Sequence, residues 1–192
     1  MDDDALTLLE QYGDAFIPSS NHAVIIAGQG TAAVELLRDI PELDVVVVPV
    51  GGGGLIAGTC IAARTLCPSI HIVGVQTEAA NHGYLSLQRS MNISILPPET
   101  IADGLCTTVL GSLTWPVIRH MVDDIILVSE EDVWMTLRFL LFQMKLLVEP
   151  TGAVAAAAAL TGKLRQYGRR VGILLSGGNI APQILYELLS VS

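Results

Sequence analysis

The sequence predicts an α/β fold in which a parallel sheet carries helices on both faces. Short apolar, β-branched runs alternate along the chain with longer segments of helical periodicity, which is typical of βαβ units. Charged residues make up only 15% of the chain and the mean hydropathy is +0.56, as expected when strands are buried on both sides. We expect residues 1–192 to form a single α/β domain.

The first half of the chain contains two strong strand signals. The β-branched run AVIIA, Ala23–Ala27, leads through GQG into a predicted helix over Thr31–Asp39, with Thr31 as its cap. The run DVVVVPV is predicted to be a fully buried strand, and a helix over Leu55–Leu66 follows it. The run SIHIVGVQ, Ser69–Gln76, is the second predicted strand.

The second half repeats this alternation. The run DDIILVS, Asp123–Ser129, predicts a third strand, and Ser129 is placed to open a helix that continues toward Leu147. An alanine-rich helix is predicted over Ala153–Leu164. The run RVGILLS then predicts another strand, before a last helix over Pro182–Leu189.

Two glycine-rich loops follow predicted buried strands. Gly51–Gly54 come after VVVVPV, and the loop Ser176–Asn179 comes after VGILLS. Both loops leave the carboxyl ends of strands, so they should lie on the same rim of the sheet, where ligands bind in α/β folds. A glycine run that opens a helix offers converging N–H groups and the positive end of the helix dipole, which favours a phosphate. The alternative is a tight strand-to-helix turn, although one or two glycines would suffice for that.

A dinucleotide-binding (Rossmann) domain is the competing interpretation of the first loop. Gly52, Gly54 and Ala57 fit the GxGxxG/A spacing. This alternative leaves the second glycine loop unexplained, and it places the uncharged Gln76 where a ribose-binding acid would stand. No Walker A sequence occurs, and Ser176 in LLSGGN lacks the GxSxG pattern of a hydrolase nucleophile.

Charge and composition exclude other classes of partner. A net charge of −9 with ten lysines and arginines argues against nucleic acid. The longest uncharged span, Val45–Ala63, contains Pro49 and four glycines, which would break a membrane helix, so no membrane partner is predicted. The acidic start MDDDALTLL is unlike a signal peptide, and the three cysteines form no CxxC pair, which favours a cytoplasmic location.

Six motifs carry a resemblance that runs from about Ala5 to the C-terminus. In chain order they are IIAGQGTAAVELL, VVVVPVGGGGLIAGT, PPETIADG, VDDIILVSEEDV, KLLVEPTGA and ILLSGGN. Their order and spacing resemble those of the fold-type II pyridoxal-phosphate enzymes, most of all threonine/serine dehydratases and serine racemase. The resemblance implies the large-domain portion of the tryptophan synthase β-like fold, with three layers.

The resemblance also implies a cofactor site. The backbone N–H groups of Gly51, Gly52, Gly53 and Gly54 would hold the phosphate of pyridoxal 5'-phosphate. Ser176 would face the pyridine nitrogen, Gly104 would lie close to the ring, and Glu149 would belong to the same region. For Glu149 the alternative is an acid at a helix terminus, placed there by the helix dipole.

Two family motifs have no counterpart in this sequence. The Schiff-base lysine and the serine/asparagine loop that holds the substrate carboxylate both come earlier in the family than anything that matches here. The chain has two lysines, Lys145 and Lys163, and neither matches the Schiff-base motif. The sequence therefore predicts no catalytic residue in this chain, which looks like the C-terminal part of an enzyme that is incomplete at its N-terminus. Its first residues, DALTLLEQYGDAFIP, look like the end of an internal helix and a connection to a strand.

Some relatives hold a divalent cation in the stretch after the strand SIHIVGVQ. Where that pattern has carboxylates, this chain has Gln76 and His82, with Ala80 between them as a possible carbonyl ligand. Hard cations depend on anionic oxygen ligands, so no metal is predicted.

The resemblance implies a pyridoxal-phosphate threonine/serine dehydratase, which eliminates the β-hydroxyl of L-threonine or L-serine and deaminates it to a 2-oxo acid. Serine racemase and a catalytically silent or split cofactor-binding module are the alternatives. Without its preceding segment the sheet should expose apolar surface. We therefore expect a homo-oligomer or association with a missing N-terminal portion.

Overall fold

In the part of the chain that the structure describes, four parallel strands lie between two layers of helices. The computed structural model describes residues 17–190. Its strands are β1 (Val45–Pro49), β2 (His71–Thr77), β3 (Asp124–Val128) and β4 (Val171–Ile173). Its α-helices are α1 (Ala23–Asp39), α2 (Gly54–Leu66), α3 (His82–Arg89), α4 (Thr114–Met121), α5 (Glu130–Phe139), α6 (Pro150–Leu160) and α7 (Pro182–Ser190). Short 3₁₀ turns occur at Asp103–Leu105 and Arg165–Tyr167, and a π-helical turn at Leu140–Met144.

The strand order is β3-β2-β1-β4, and all pairings are parallel. Val45 of β1 aligns with His71 on one side and with Val171 on the other. The chain moves outward from β1 to β3, and β4 then returns to the opposite side of β1. The topological switch point therefore lies between β1 and β4, the two strands from which the glycine loops leave.

Alternate residues of β1 serve the two faces of the sheet. Val45 and Val47 belong to a core with α5, α6 and α7, whereas Val46 and Val48 belong to a core with α1, α2 and α4. All four side chains are fully buried, which explains why this run carries no charge. Ala153–Ala158 of α6 are buried on the first of these faces. The predicted three-layer α/β fold is confirmed.

The predicted start of the first helix at Thr31 is wrong, because the β-branched run Ala23–Ala27 already forms the first turns of α1. The helix is capped by His22, whose Nδ1 accepts the Val24 N–H at 3.3 Å, and not by Thr31, which lies inside the helix. The cause is a close crossing with α2. A Cβ on Gly58 would overlap the carbonyl oxygen of Ile26, so the two backbones are nearly in contact. This tertiary packing outweighs the β-branched character of the run.

Other boundaries follow from local capping. Ser129 begins α5 as predicted: its hydroxyl accepts the Asp132 N–H at 3.1 Å, and the Asp132 carboxylate accepts the Ser129 N–H at 3.0 Å. Regular helix does not continue to Leu147, because the π-helical turn ends at Lys145 with a φ of 60°. The alanine-rich helix begins early, at Pro150, since proline is pre-organised for a first helical position.

The uncharged span Val45–Ala63 is divided between a strand, a loop and a helix. It consists of β1, the glycine loop and most of α2. None of the helices between residues 17 and 190 is long and apolar enough to cross a membrane. The predicted internal helix at the start of the chain lies outside the described residues.

Candidate functional site

A cavity of about 350 Å³ lies where the loops after β1 and β4 meet. All seven residues predicted from the sequence line it: Gly51, Gly52, Gly53, Gly54, Gly104, Glu149 and Ser176. The sequence did not indicate other polar residues that line the same cavity, namely Ser19, Ser20, Gln29, Thr107 and Thr151. The structure therefore brings the predicted residues together, and their contacts with a ligand stay a prediction.

Gly51–Gly54 connect the end of β1 to the start of α2. Gly53 is the N-cap of α2 and has a φ of 92°, a left-handed conformation that favours glycine. Within residues 17–190, the N–H groups of Gly51, Gly52 and Gly53 donate no backbone hydrogen bond. The N–H of Gly54 belongs to the first turn of α2, where it has no partner inside the helix. Four donors are thus available at the positive end of a helix.

The glycines of this loop have no room for a side chain. A Cβ on Gly52 would overlap the hydroxyl of Ser20, and a Cβ on Gly54 would lie 3.0 Å from the Ser20 Cα. A Cβ on Gly51 would lie 2.9 Å from the carbonyl oxygen of Gly104. A tight turn would need one or two glycines, whereas here each position is confined. Contacts within the protein therefore require glycine at these positions, and the four available N–H groups are what suits the loop to an anion.

The second loop is attached to the start of α6 through Glu149. The Glu149 carboxylate accepts the N–H of Asn179 at 2.9 Å, and the Glu149 N–H donates to the Gly177 carbonyl at 3.3 Å. Gly177 has a φ of 95°, and a Cβ there would overlap the Glu149 carboxylate. A Cβ on Gly152 would overlap the carbonyl oxygen of Ser176. Glu149 is thus a helix N-cap residue that also fixes the Ser176 loop.

Gly104 lies between the first glycine loop and α6. Its N–H donates to the hydroxyl of Thr151 at 3.0 Å and to the carboxylate of Asp103 at 2.8 Å. Thr151 is buried in the first turn of α6. These contacts fix the Gly104 backbone at the edge of the cavity.

The electrostatics of the cavity are unusual for an anion site. Among the described residues that line it, Glu149 carries the one charged side chain. A phosphate in this cavity would therefore be held by neutral donors: backbone N–H groups, the helix dipole and nearby hydroxyls such as that of Ser20.

Both lysines lie outside the cavity lining. Lys145 is exposed, and its ammonium donates to the Phe142 carbonyl at 2.6 Å. Lys163 donates to the Leu127 carbonyl at 2.8 Å and lies 3.5 Å from the Asp132 carboxylate.

The residues considered above as metal ligands form hydrogen bonds beneath the glycine loop. Gln76 and His82 are fully buried, and their side chains contact the carbonyl groups of Val50 and Gly51. Ala80 is also buried. The described part of the chain contains no group of three or more His, Cys, Asp or Glu residues placed to hold a metal ion.

Comparison with known proteins identifies the family. Residues 1–177 match the family described as "Pyridoxal-phosphate dependent enzyme". The chain belongs to the pyridoxal-phosphate-dependent enzymes. The match favours this family over the dinucleotide-binding alternative, which left the second glycine loop unexplained.

The relatives within the pyridoxal-phosphate-dependent enzymes have several activities. The chain is 46% identical over 183 residues to the L-threo-3-hydroxyaspartate ammonia-lyase of Saccharomyces cerevisiae, in a match that covers 95% of this chain and 56% of the relative. It is 42% identical over 176 residues to the serine racemase of Schizosaccharomyces pombe, in a match that covers 92% and 54%. The solved structure of a T.th. threonine deaminase superimposes with a TM-score of 0.88 at 40% identity, covering 94% of this chain and 62% of that one. The chain spans about half the length of the curated relatives it matches.

The residues present fit the cofactor of the pyridoxal-phosphate-dependent enzymes. The N–H groups of the glycine loop, which donate no backbone hydrogen bond within residues 17–190, suit a phosphate at the start of a helix.

Proposed function

We propose that this chain forms the cofactor-holding part of a pyridoxal-phosphate-dependent ammonia-lyase that acts on L-threonine or L-serine. The observation that carries the proposal is the single cavity shared by the Gly51–Gly54 loop and the Ser176 loop. The activities of similar proteins support the reaction class, because an ammonia-lyase and a threonine deaminase are among them. Serine racemase is the second candidate, favoured by the 42% identity to the Schizosaccharomyces pombe protein.

The proposal assigns a role to each predicted site residue. Bound pyridoxal phosphate supplies an electron sink for the α-carbon of an amino acid. The N–H groups of Gly51–Gly54 bind its phosphate, and the Ser176 hydroxyl faces its pyridine nitrogen without holding that nitrogen protonated. Glu149 positions the Ser176 loop through Asn179. Gly104 borders the ring.

No lysine that could carry the cofactor is among the described residues that line the cavity. The complete reaction therefore requires such a lysine from outside the lining described here. A catalytically silent or split cofactor-binding module is the alternative that this observation favours.

The purified chain is expected to bind pyridoxal phosphate reversibly, without a lysine adduct. Because the Lys145 and Lys163 ammonium groups donate to carbonyls away from the cavity, borohydride treatment should leave neither modified. Absorbance titration measures binding, and peptide mass spectrometry after borohydride measures the adduct. A variant with both lysines changed to arginine is the control and should bind equally well. A stoichiometric adduct at Lys145 would contradict the view that neither lysine carries the cofactor. Absence of binding would refute the proposed phosphate site at Gly51–Gly54.

The reaction itself is tested with a chimera. The part of the Saccharomyces cerevisiae relative outside the matched region is joined to this chain, and the product is assayed with L-threonine, L-serine and L-threo-3-hydroxyaspartate. We expect 2-oxo acid and ammonia from L-threonine or L-serine. Formation of D-serine without 2-oxo acid would favour the racemase instead. Cofactor binding without turnover of any of the three would favour the silent module.

A further inference from the structure

Two buried polar side chains lie directly beneath the first glycine loop. Gln76 is near the end of β2 and His82 is the first residue of α3, and both are completely buried. Burying an amide and an imidazole is unfavourable unless both form hydrogen bonds. Neither side chain lines the cavity, so direct contact with a ligand does not explain them.

Gln76 is held in one orientation by two backbone groups. Its Nε2 donates to the carbonyl oxygen of Val50 at 3.0 Å, and its Oε1 accepts the N–H of Tyr84 at 2.9 Å. A Cβ on Gly83 would lie 3.0 Å from that Oε1, so glycine gives the amide its space. The amide therefore cannot turn over without losing both hydrogen bonds.

His82 holds the next carbonyl group of the chain. Its Nε2 lies 3.0 Å from the Gly51 carbonyl oxygen and 3.3 Å from the Thr107 hydroxyl. Burial lowers the pKa of His82 from its ordinary value, which favours the neutral ring. A carbonyl can only accept, so the tautomer that satisfies this contact carries its proton on Nε2 and donates to Gly51.

These two contacts determine where the neighbouring N–H groups point. In a planar trans peptide the carbonyl of one residue and the N–H of the next point in opposite directions. Holding the Val50 carbonyl therefore orients the Gly51 N–H, and holding the Gly51 carbonyl orients the Gly52 N–H. The Gly52 carbonyl is fixed in the same way by the Thr114 hydroxyl at 2.8 Å. The carbonyl oxygens of three successive peptide groups are thus held by hydrogen bonds on the side opposite their N–H groups.

We propose that Gln76 and His82 are positioning residues that hold the Val50 and Gly51 carbonyls and so aim the first two N–H groups of the glycine loop at the cofactor phosphate. The proposal rests on the proposed function, because it needs the phosphate in the cradle. It assigns the pair a role that requires no cation.

The test compares His82 variants for binding of pyridoxal phosphate and of pyridoxal, which lacks the phosphate. His82→Leu removes the donor. We expect it to weaken the binding of pyridoxal phosphate at least about tenfold, and to change the affinity for pyridoxal, measured by competition, less than about twofold. His82→Gln retains a side-chain N–H and should restore affinity to within about threefold of the parent. His82→Asn is too short to reach Gly51 and provides the same comparison if the leucine variant does not fold. Thermal unfolding without cofactor shows which variants are folded.

The possible results separate this proposal from the proposed function. If the parent chain binds pyridoxal phosphate and folded His82→Leu or His82→Asn binds it equally well, the positioning role is wrong and the proposed function stands. If the parent chain does not bind, the proposed function fails first. Equal weakening of pyridoxal phosphate and pyridoxal would show a general structural effect and overturn the proposal. EDTA should leave affinity unchanged, and a loss restored by Mg²⁺ or Ca²⁺ would place a cation at the Gly51 carbonyl instead.

Discussion

Replacing Gly58 with alanine is expected to destabilise the fold by about 3 kcal/mol, because the close crossing of α1 and α2 has no room for a Cβ. The added atom would overlap the Ile26 carbonyl oxygen and would lie 2.6 Å from the Gly30 nitrogen. Both neighbours are backbone atoms, which cannot move aside as a flexible side chain can. Urea unfolding followed by circular dichroism measures the change in the free energy of unfolding.

Gly28→Ala is the matched control for this substitution. Gly28 lies in α1, two residues from Gly30, and a Cβ there would meet nothing within 4 Å. Alanine should therefore stabilise the chain by about 0.5–1 kcal/mol through its better helix propensity. Equal unfolding free energies for Gly58→Ala and the parent chain would show that the two helices separate without cost, contrary to the packing described here.

Replacing Gly52 with alanine is expected to weaken binding of pyridoxal phosphate at least about tenfold, a change of about 1.4 kcal/mol. The new Cβ would overlap the Ser20 hydroxyl, so either the loop or Ser20 must shift. Such a shift moves the Gly52 N–H away from the phosphate position and displaces a hydroxyl that lines the cavity. Titration monitored by cofactor absorbance gives the affinity.

A second substitution shows whether the effect has this origin. In the Gly52→Ala background, Ser20→Gly removes the overlapping hydroxyl and should recover part of the lost affinity. Gly28→Ala lies outside the cavity lining and should leave affinity unchanged. If the double variant binds no better than Gly52→Ala alone, the overlap with Ser20 is not the cause.

The arrangement around β1 could be predicted from sequence because its signals are local. An uncharged β-branched run, four glycines and a helical pattern follow one another within residues 45–66, and the structure places β1, the loop and α2 there. Ser129 was predictable for the same reason, since its capping box spans four residues. The meeting of the Gly51–Gly54 and Ser176 loops followed from the parallel-sheet rule that strand carboxyl ends share one rim.

Contacts between segments that are distant in the chain could not be predicted from local sequence patterns. Ala23–Ala27 has a β-branched composition, and its helical state depends on packing against Gly58. Ser20 lines the cavity from a segment outside the six motifs, and Thr151 lines it from KLLVEPTGA, where the resemblance implied a role only for Glu149. His82 stands where the cation-binding pattern of some relatives has a carboxylate. Its contact with Gly51, 31 residues earlier, required the three-dimensional arrangement.

The position of β4 beside β1 has a consequence for the order of folding. β4 has three residues, and the Asp44 carboxylate receives hydrogen bonds from Arg170, 126 residues later in the chain. The Arg170 guanidinium, which donates to this carboxylate, holds the pKa of Asp44 well below its usual range. Pairings of such long sequence separation form slowly, since a large chain loop must close first. During synthesis the Gly51–Gly54 loop therefore leaves the ribosome long before its partner loop exists, and the cofactor cavity is among the last parts of the domain to be completed.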